Sequence, residues 1–557
     1  MDPVEPGHRA AQDPGEHTEP PRGGQVSGES ERRSLLRRAL VVGGGTFASR
    51  LLGLARDVAL AAVFPRLITD AFFVAFTIPN ALRQLLGEGA VSSAVVPVLS
   101  ERLANDGEEA ARSFFAKVRA LSLLALVVVT ALGMLLARPL TELFASGYHQ
   151  VPGQFERTVQ LTRYLFPYLL FMGTAALGMA ALHANKRFAV ASFAPALLNV
   201  AFLLAAFVFE PIARRAGYDL SWPLCIGALL GGFLQMIAQW PALRAIGYWQ
   251  RPVLDLRDPH VRIMLARIVP VTFGIGVYYI DLVLSRRFLS EFGEGAQSYF
   301  SWAMRLCDFP QGIFVMALST ASLPSLAGLA AQKNYEELGK TYVYGLRLAL
   351  FVAVPVSLLF VVLAEPLTVT LFQRGAFSAE DAQQTARALA AQGLGMFTVA
   401  VVRQSVPVYH ALGDTKTPVW ISALDLIAFV TLALGLRGHV GHLAVSVAVS
   451  GSSAVQMLLL LGGLARRAGV LVPHARARLA RELVGSATKT WSAALIGAAG
   501  AYGVATLCEH AVGSVRLGFV LASLVFGVLF VAFSWGIRSS ELEVLLRGLT
   551  RRLRRTS

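Results

Sequence analysis

TFASRLLGLARDVALAAVFPRLITDAFFVAFTIPNALRQLLGEGA, residues 46–90, decides the fold. It reads as two membrane-spanning helices, rich in apolar residues and separated by a short turn near Pro65 to Thr69. Charges nevertheless interrupt both helices, among them Arg50, Arg56, Asp57, Asp70, Arg83 and Glu88. A charge at the bilayer centre costs about 2.5–3.5 kcal/mol, so Arg50, Arg56 and Arg83 would together cost about 8–10 kcal/mol if they faced lipid. The pattern therefore predicts that these arginines point into a polar cavity. A cationic cavity inside a membrane predicts an anionic cargo.

The rest of the chain agrees with a membrane setting. Its 557 residues could make several soluble domains, but the composition is 55% hydrophobic and 15% charged. Apolar runs of about 20 residues recur throughout, as in a polytopic membrane protein. The formal charge of +15 does not predict nucleic acid as a partner, because the basic residues cluster in short loops between apolar runs. Cys225, Cys307 and Cys508 have no ligand spacing, so neither a disulfide framework nor a metal site is expected.

Residues 1–38 are expected to form a cytoplasmic tail, disordered over its Pro-, Gly- and Glu-rich first part. No cleavable signal is read there; the apolar run from about Ala39 acts as an uncleaved first span. Hydropathy predicts about 14 spans. They are grouped as an N-lobe over 39–246, a C-lobe over 262–464, two further helices over 485–537 and a basic tail over 538–557. Basic residues such as Lys186, Arg187, Arg244, Arg251, Lys333 and Arg481 fall in alternate loops, which places both termini in the cytoplasm. Arg214, Arg215, Arg286 and Arg287 are exceptions on the opposite side.

An internal repeat explains the grouping. Pro97, Pro139 and His183 recur as Pro324, Pro366 and His410, each at an offset of 227 (324 − 97, 366 − 139, 410 − 183). The offset covers six spans, an even number, so the two halves are parallel. Transporters of this architecture bind substrate between their halves near the midplane.

Helical spacing places the charges more finely. Arg50 and Asp57 are seven apart and share a face, with Arg56 about 120° away. The plainer alternative is an internal Arg–Asp pair that only holds the bundle together. In the second span Pro79 bends the helix, and Asn80 and Arg83 follow on one face. Arg83 is placed in the cavity, while Asn80 either joins it or repairs the carbonyl freed by the proline. Asp70 is read as a gate partner or a solvated end residue, and Glu88 as an ion-pair partner. Arg305 and Asp308 are neighbours on one face of the eighth span, where Arg305 would enter the same cavity from the second half. Asp281 and Asp425, acids inside apolar runs, are candidates for a cation site or proton relay, and Arg403 for a further cavity charge. Gly339-Lys340-Thr341 ends like a phosphate loop, but Asn334 stands where its first glycine is required.

Three strings in the opening stretch carry a resemblance: SRLLGLARD (49–57), TDAFFVAFTIPNALR (69–83) and EGA (88–90). With MRLCDFPQGIF (304–314), LPSLA (323–327) and PLTVTLFQRGAFS (366–378), they resemble the lipid II flippase family, MurJ/MviN. That family belongs to the multidrug/oligosaccharidyl-lipid/polysaccharide exporter superfamily. The resemblance implies an all-α fold of about 14 transmembrane helices, as two parallel six-helix repeats plus two C-terminal helices that form a groove for a lipid tail. It implies that Arg50, Arg56, Arg83 and Arg305 bind substrate and that Asp70 works at an outer gate. Gln84 and Met304 depart from the family pattern, which often has a second base and an acid there.

The implied activity is that of a transporter, not an enzyme: lipid II is moved from the cytoplasmic to the periplasmic leaflet of the inner membrane by alternating access. Guanidinium suits a diphosphate cargo because it pairs bidentately and stays charged. Expected partners are lipid II and membrane lipids, with the cell-wall synthesis machinery as a further one and a monomer as the working unit. No cofactor is expected, though dependence on membrane potential or a monovalent cation fits Asp281 and Asp425. The rival reading is an exporter of another lipid-linked glycan or a cation-coupled drug exporter of the same superfamily. A membrane enzyme would need clustered acids or histidines at a membrane face, and a scaffold would leave the arginines without a role.

Overall fold

A computed structural model describes residues 44–45, 47–85, 92–466 and 473–547. The tail over 1–38, Glu88 and the last ten residues lie outside these. The described residues are almost wholly helical.

Helix α1 covers 47–63 and turns at Phe64–Pro65 into α2 (Arg66–Arg83). Next come α3 (Ser92–Asn105), α4 (Gly107–Leu135), α5 (Ala137–Ala145), α6 (Gln154–Leu165) and α7 (Pro167–Ala184). The first half closes with α8 (Phe188–Leu204), α9 (Glu210–Ala216) and α10 (Ser221–Ala245). The second half holds α11 (Pro259–Ser290), α12 (Ala296–Pro310), α13 (Met316–Ala331), α14 (Tyr335–Val362), α15 (Ala364–Phe372), α16 (Ala379–Leu394), α17 (Met396–Ala411), α18 (Lys416–Val440) and α19 (Leu443–Arg466). Then follow α20 (Pro473–Val512), α21 (Val515–Gly536) and α22 over 540–547.

Ten helices among the described residues are long and apolar enough to cross a membrane, or eleven if α16 and α17, bent by 41°, count as one span. The other three predicted spans fall on α1, on α2 with α3, and on α11. All are helical where described, and the first two carry the charged residues of the opening stretch. A count near fourteen is consistent with this.

Local chemistry sets several helix starts. Asp258 caps α11, accepting from the backbone N–H of His260 at 2.8 Å. Ser378 and Asp381 form a reciprocal capping box on α16. Asn334 caps α14, accepting from Glu337 N at 3.2 Å, so the Gly339-Lys340-Thr341 string is helical and forms no phosphate loop.

Helix ends repeat at the offset read from the sequence. α4 and α14 end at Leu135 and Val362 (362 − 135 = 227), and α7 and α17 at Ala184 and Ala411 (411 − 184 = 227). The two halves meet through α2 and α12. Phe73 packs edge-on against Trp302 at 4.8 Å, in an apolar core that also takes in Phe64, Phe72 and Phe372.

α20 and α21 pack on each other and on α14. The basic tail read from 538 onward begins as α22, and its Glu541 is buried. Glu541 accepts from Arg347 Nε and from Ser486 Oγ, both at 2.7 Å. Burial alone would raise this carboxyl, but the hydroxyl of Ser486 and its other donors, Arg347 included, outweigh burial and bring it down to about 2.

The segment between the halves lies along α4. Arg112 Nε and Arg119 Nη1 each donate at 3.1 Å, to the carbonyls of Ile246 and Gln250. Lys117 pairs with Asp255 at 2.9 Å and Asp258 at 2.8 Å. Burial opposes ionisation of Asp258, yet Lys117 and two backbone N–H groups bring it to about 2.

Candidate functional site: a cationic cavity between the halves

A cavity of about 520 Å³ lies between the two halves. α2 supplies Phe73, Phe76, Thr77 and Asn80, with Gln84 just past its end; α12 supplies Ser301, Arg305 and Asp308. α11 adds Asp281 and Arg286, and α17 adds Arg403. Immediately beyond Pro310 the helix widens into a π-helical turn, Gln311–Val315, which brings Gln311 to the wall. Three guanidiniums and two carboxylates thus line one chamber.

Of the four predicted arginines, Arg305 lines the cavity directly. Its guanidinium lies 3.5 Å from Asp57 and 5.5 Å from the Phe73 ring centroid. Arg50 reaches the rim, where Nη1 donates to the Asp308 carbonyl at 3.4 Å. Gly312 makes that approach possible, since any Cβ there would overlap the Arg50 guanidinium.

Arg56 stands one residue behind the wall. It donates to Asp57 at 2.7 Å and to Asn199 at 2.9 Å, and sits 5.6 Å from the Phe202 ring centroid. Arg50 and Asp57, read as sharing a face, both reach α12, and Asp57 also pairs with Arg56, its neighbour in sequence. A long guanidinium stem can fold back beside its own neighbour, and Arg305 draws Asp57 to the same side. Arg83 donates to Asn80 Oδ1 at 3.0 Å, and Asn80 itself lines the cavity. Asn80 therefore positions Arg83.

Asp70 is fully buried, not a solvated end residue. Its carboxylate accepts from the backbone N–H of Gly295 at 2.5 Å and of Ser298 at 2.7 Å. A side chain of the first half thus caps α12 of the second, where the helix dipole favours a negative charge. Arg66, which the sequence reading passed over, completes the closure. It bonds Glu294 at 3.0 Å, and Glu380, Asp381 and the Tyr299 hydroxyl each at 3.2 Å. Nearby, Ala376 N donates to Ala62 O at 2.7 Å, a contact too tight for any side chain at Gly375. The halves are therefore tied together at the Pro65 end, above the cavity.

Asp281 and Asp425 are close enough to repel each other, and Asp281 lines the cavity. Asp425 Oδ1 is buried with no hydrogen-bond partner among the described residues. Among the described residues no three His, Cys, Asp or Glu side chains cluster to hold a metal.

Two further cavity residues are Arg286, counted in sequence with the outer loops, and Arg403. Nothing in one-dimensional hydropathy could move Arg286 inward, because it lies only four residues before the end of α11.

Two parallel helical halves around a charged chamber define a multi-pass membrane protein of the transporter class. Fold comparisons agree: a solved lipid II flippase MurJ in an inward closed conformation aligns with a TM-score of 0.73 at 23% identity, covering 92% of this chain and all of that one. An inward-facing multidrug resistance MATE transporter of the MOP superfamily aligns at 0.57 and 15% identity, over 78% of this chain and 96% of that one.

The chain belongs to the lipid II flippase MurJ family, whose model matches residues 60–521. A lipid II flippase MurJ of Burkholderia cenocepacia is 35% identical over 460 residues, 82% of this chain and 88% of that protein. A probable lipid II flippase MurJ of Vibrio cholerae is 33% identical, over 78% of this chain and 83% of that one.

Proposed function

We propose that this protein is a lipid II flippase, carrying the undecaprenyl-diphosphate-linked peptidoglycan precursor from the cytoplasmic to the periplasmic leaflet by alternating access. The observation that carries the reading is Arg305, set in a chamber between the halves with Arg50 at its rim and Arg56 one carboxylate behind. These guanidiniums replace the hydration of a diphosphate while the lipid tail stays in the bilayer. Family membership at 35% identity supports this cargo over a drug.

In this reading both termini are cytoplasmic and the Pro65 end faces the periplasm. The basic end of the bundle supports that orientation. Asp70 and Arg66 then form the periplasmic gate, and Arg50, Arg56, Arg83 and Arg305 bind the diphosphate. Asp281 and Asp425 serve as a monovalent-cation site that couples transport to an ion gradient or to membrane potential. The apolar outer faces of α20 and α21 offer a path for the lipid tail, and the working unit is a monomer.

Single alanine substitutions at Arg50, Arg56, Arg83 and Arg305 are expected to abolish rescue of a flippase-depleted strain while the protein remains in the membrane. Normal growth with all four variants would refute the cavity assignment.

A further inference from the structure

We propose that Gln311 is a sugar-reading residue of the chamber, holding the sugar joined directly to the cargo's diphosphate, with Ser453 as a second contact. This rests on the flippase reading above and adds a specificity determinant to it. Gln311 opens the π-helical turn that follows Pro310 and is only 8% exposed. The turn brings it to the chamber wall. Among the described residues, however, its carboxamide has no hydrogen-bond partner. Most buried polar side chains in a folded protein are paired, so an unpaired one needs a reason. Here the fold makes no use of the amide, and the amide stands where a ligand would lie.

Its neighbours decide which part of the ligand it meets. The next residue, Gly312, is pressed by the guanidinium of Arg50, so Gln311 lies beside the arginine at the rim. Arg305 lies six residues earlier on the same run of helix, about 9 Å of rise. A diphosphate held by these arginines has two attachments, a lipid chain on one side and a sugar on the other. The lipid chain offers nothing to an amide. The phosphates offer only acceptors, which the guanidiniums serve better. A sugar offers hydroxyl and acetamido groups that both donate and accept, and a carboxamide answers both from one planar group.

α19 supplies a matching group. Ser450 donates its hydroxyl to the Ala391 carbonyl at 2.7 Å, beside the bend between α16 and α17. Ser453, its neighbour three residues on along the same helix face, also lines the chamber and has no partner among the described residues. Both Gln311 and Ser453 are neutral, so neither competes with the arginines for the diphosphate. A site that depends on such groups rejects a ligand lacking their partners, because its own polar atoms are then left unpaired.

The test uses the purified full chain and two probes: lipid II, and undecaprenyl diphosphate, which has the same tail and diphosphate but no sugar. Binding is measured for the wild type and for Gln311→Leu, Ser453→Ala and Arg305→Gln. Gln311→Leu should weaken lipid II about three- to tenfold, the scale of a lost neutral hydrogen bond, and leave undecaprenyl diphosphate unchanged. Ser453→Ala should show the same pattern to a smaller extent, and Arg305→Gln should weaken both probes. Gln311→Leu should also keep or raise the Tm of the ligand-free protein; a fall in Tm would show the amide serving the fold and overturn the proposal. Equal binding of lipid II by Gln311→Leu and the wild type overturns it too. So does an equal loss for both probes, which would put the amide on the diphosphate. A wild type that binds neither probe would instead sink the flippase reading itself.

Discussion

Asp425 keeps Oδ1 buried without a partner among the described residues while it faces the charge of Asp281. Two carboxyls held in that way in an apolar span favour a cation or a proton between them. Asp281→Asn and Asp425→Asn are each expected to slow transport and to remove its dependence on the ion gradient in proteoliposomes. Unchanged ion dependence in both variants would end this assignment. At this scale the sequence marked Arg305 for the chamber but not its partners, and it passed over Arg66 and the inward place of Arg286. Arginines within apolar runs marked the chamber because lipid penalises them so strongly. Asp57 was harder: spacing along an ideal helix ignores the reach of a guanidinium, so it gave no sign that Arg56, its neighbour in sequence, would pair with it. Gly312 and Gly375 carried no readable signal, since each matters only for the atom from another helix that presses against it.

α12 shows how an element of one half depends on the other. Its N-terminal amides are satisfied by Asp70 of α2, and the Thr69 hydroxyl meets that of Ser298 at 2.6 Å. Replacing Asp70 by alanine should cost about 1–2 kcal/mol at this cap. Amide exchange at Gly295 and Ser298 should then accelerate roughly tenfold, the rate expected of that loss if opening is local. Exchange unchanged at both amides would show that the cap does not hold this end. Most helices were legible from apolar length alone, and the turn at Pro65 from its proline. Helix breaks within spans were less so, such as the 41° bend between α16 and α17 and the π-helical turn after Pro310.

For the whole molecule, the 227-residue offset already implied two parallel halves, and the helix ends fall on it. The docking of the C-terminal segment was not legible, because a short basic stretch gives no sign that Glu541 will be buried. This carboxyl lies at about 2, below the ordinary glutamate value of 4.5. Its contribution is therefore complete above about pH 4.5 and lost as pH falls toward 2. α22 should detach over that window, read as a gain in protease cleavage near residue 540. Glu541→Gln should show the cleavage already at neutral pH and little further change on acidification; retained protection would contradict the link.

The Arg66 cluster gives the mouth at the Pro65 end a polarity that depends on its state. One guanidinium serves Glu294, Glu380 and Asp381, which come from two separate segments of the second half. When the mouth parts, Arg66 withdraws with α2 and three acids remain on the opposite lip. An anion crossing that lip, in either direction, then meets a like-charged threshold. The same residues that lock the resting form would then set a charge barrier at the parted mouth, one that salt should weaken.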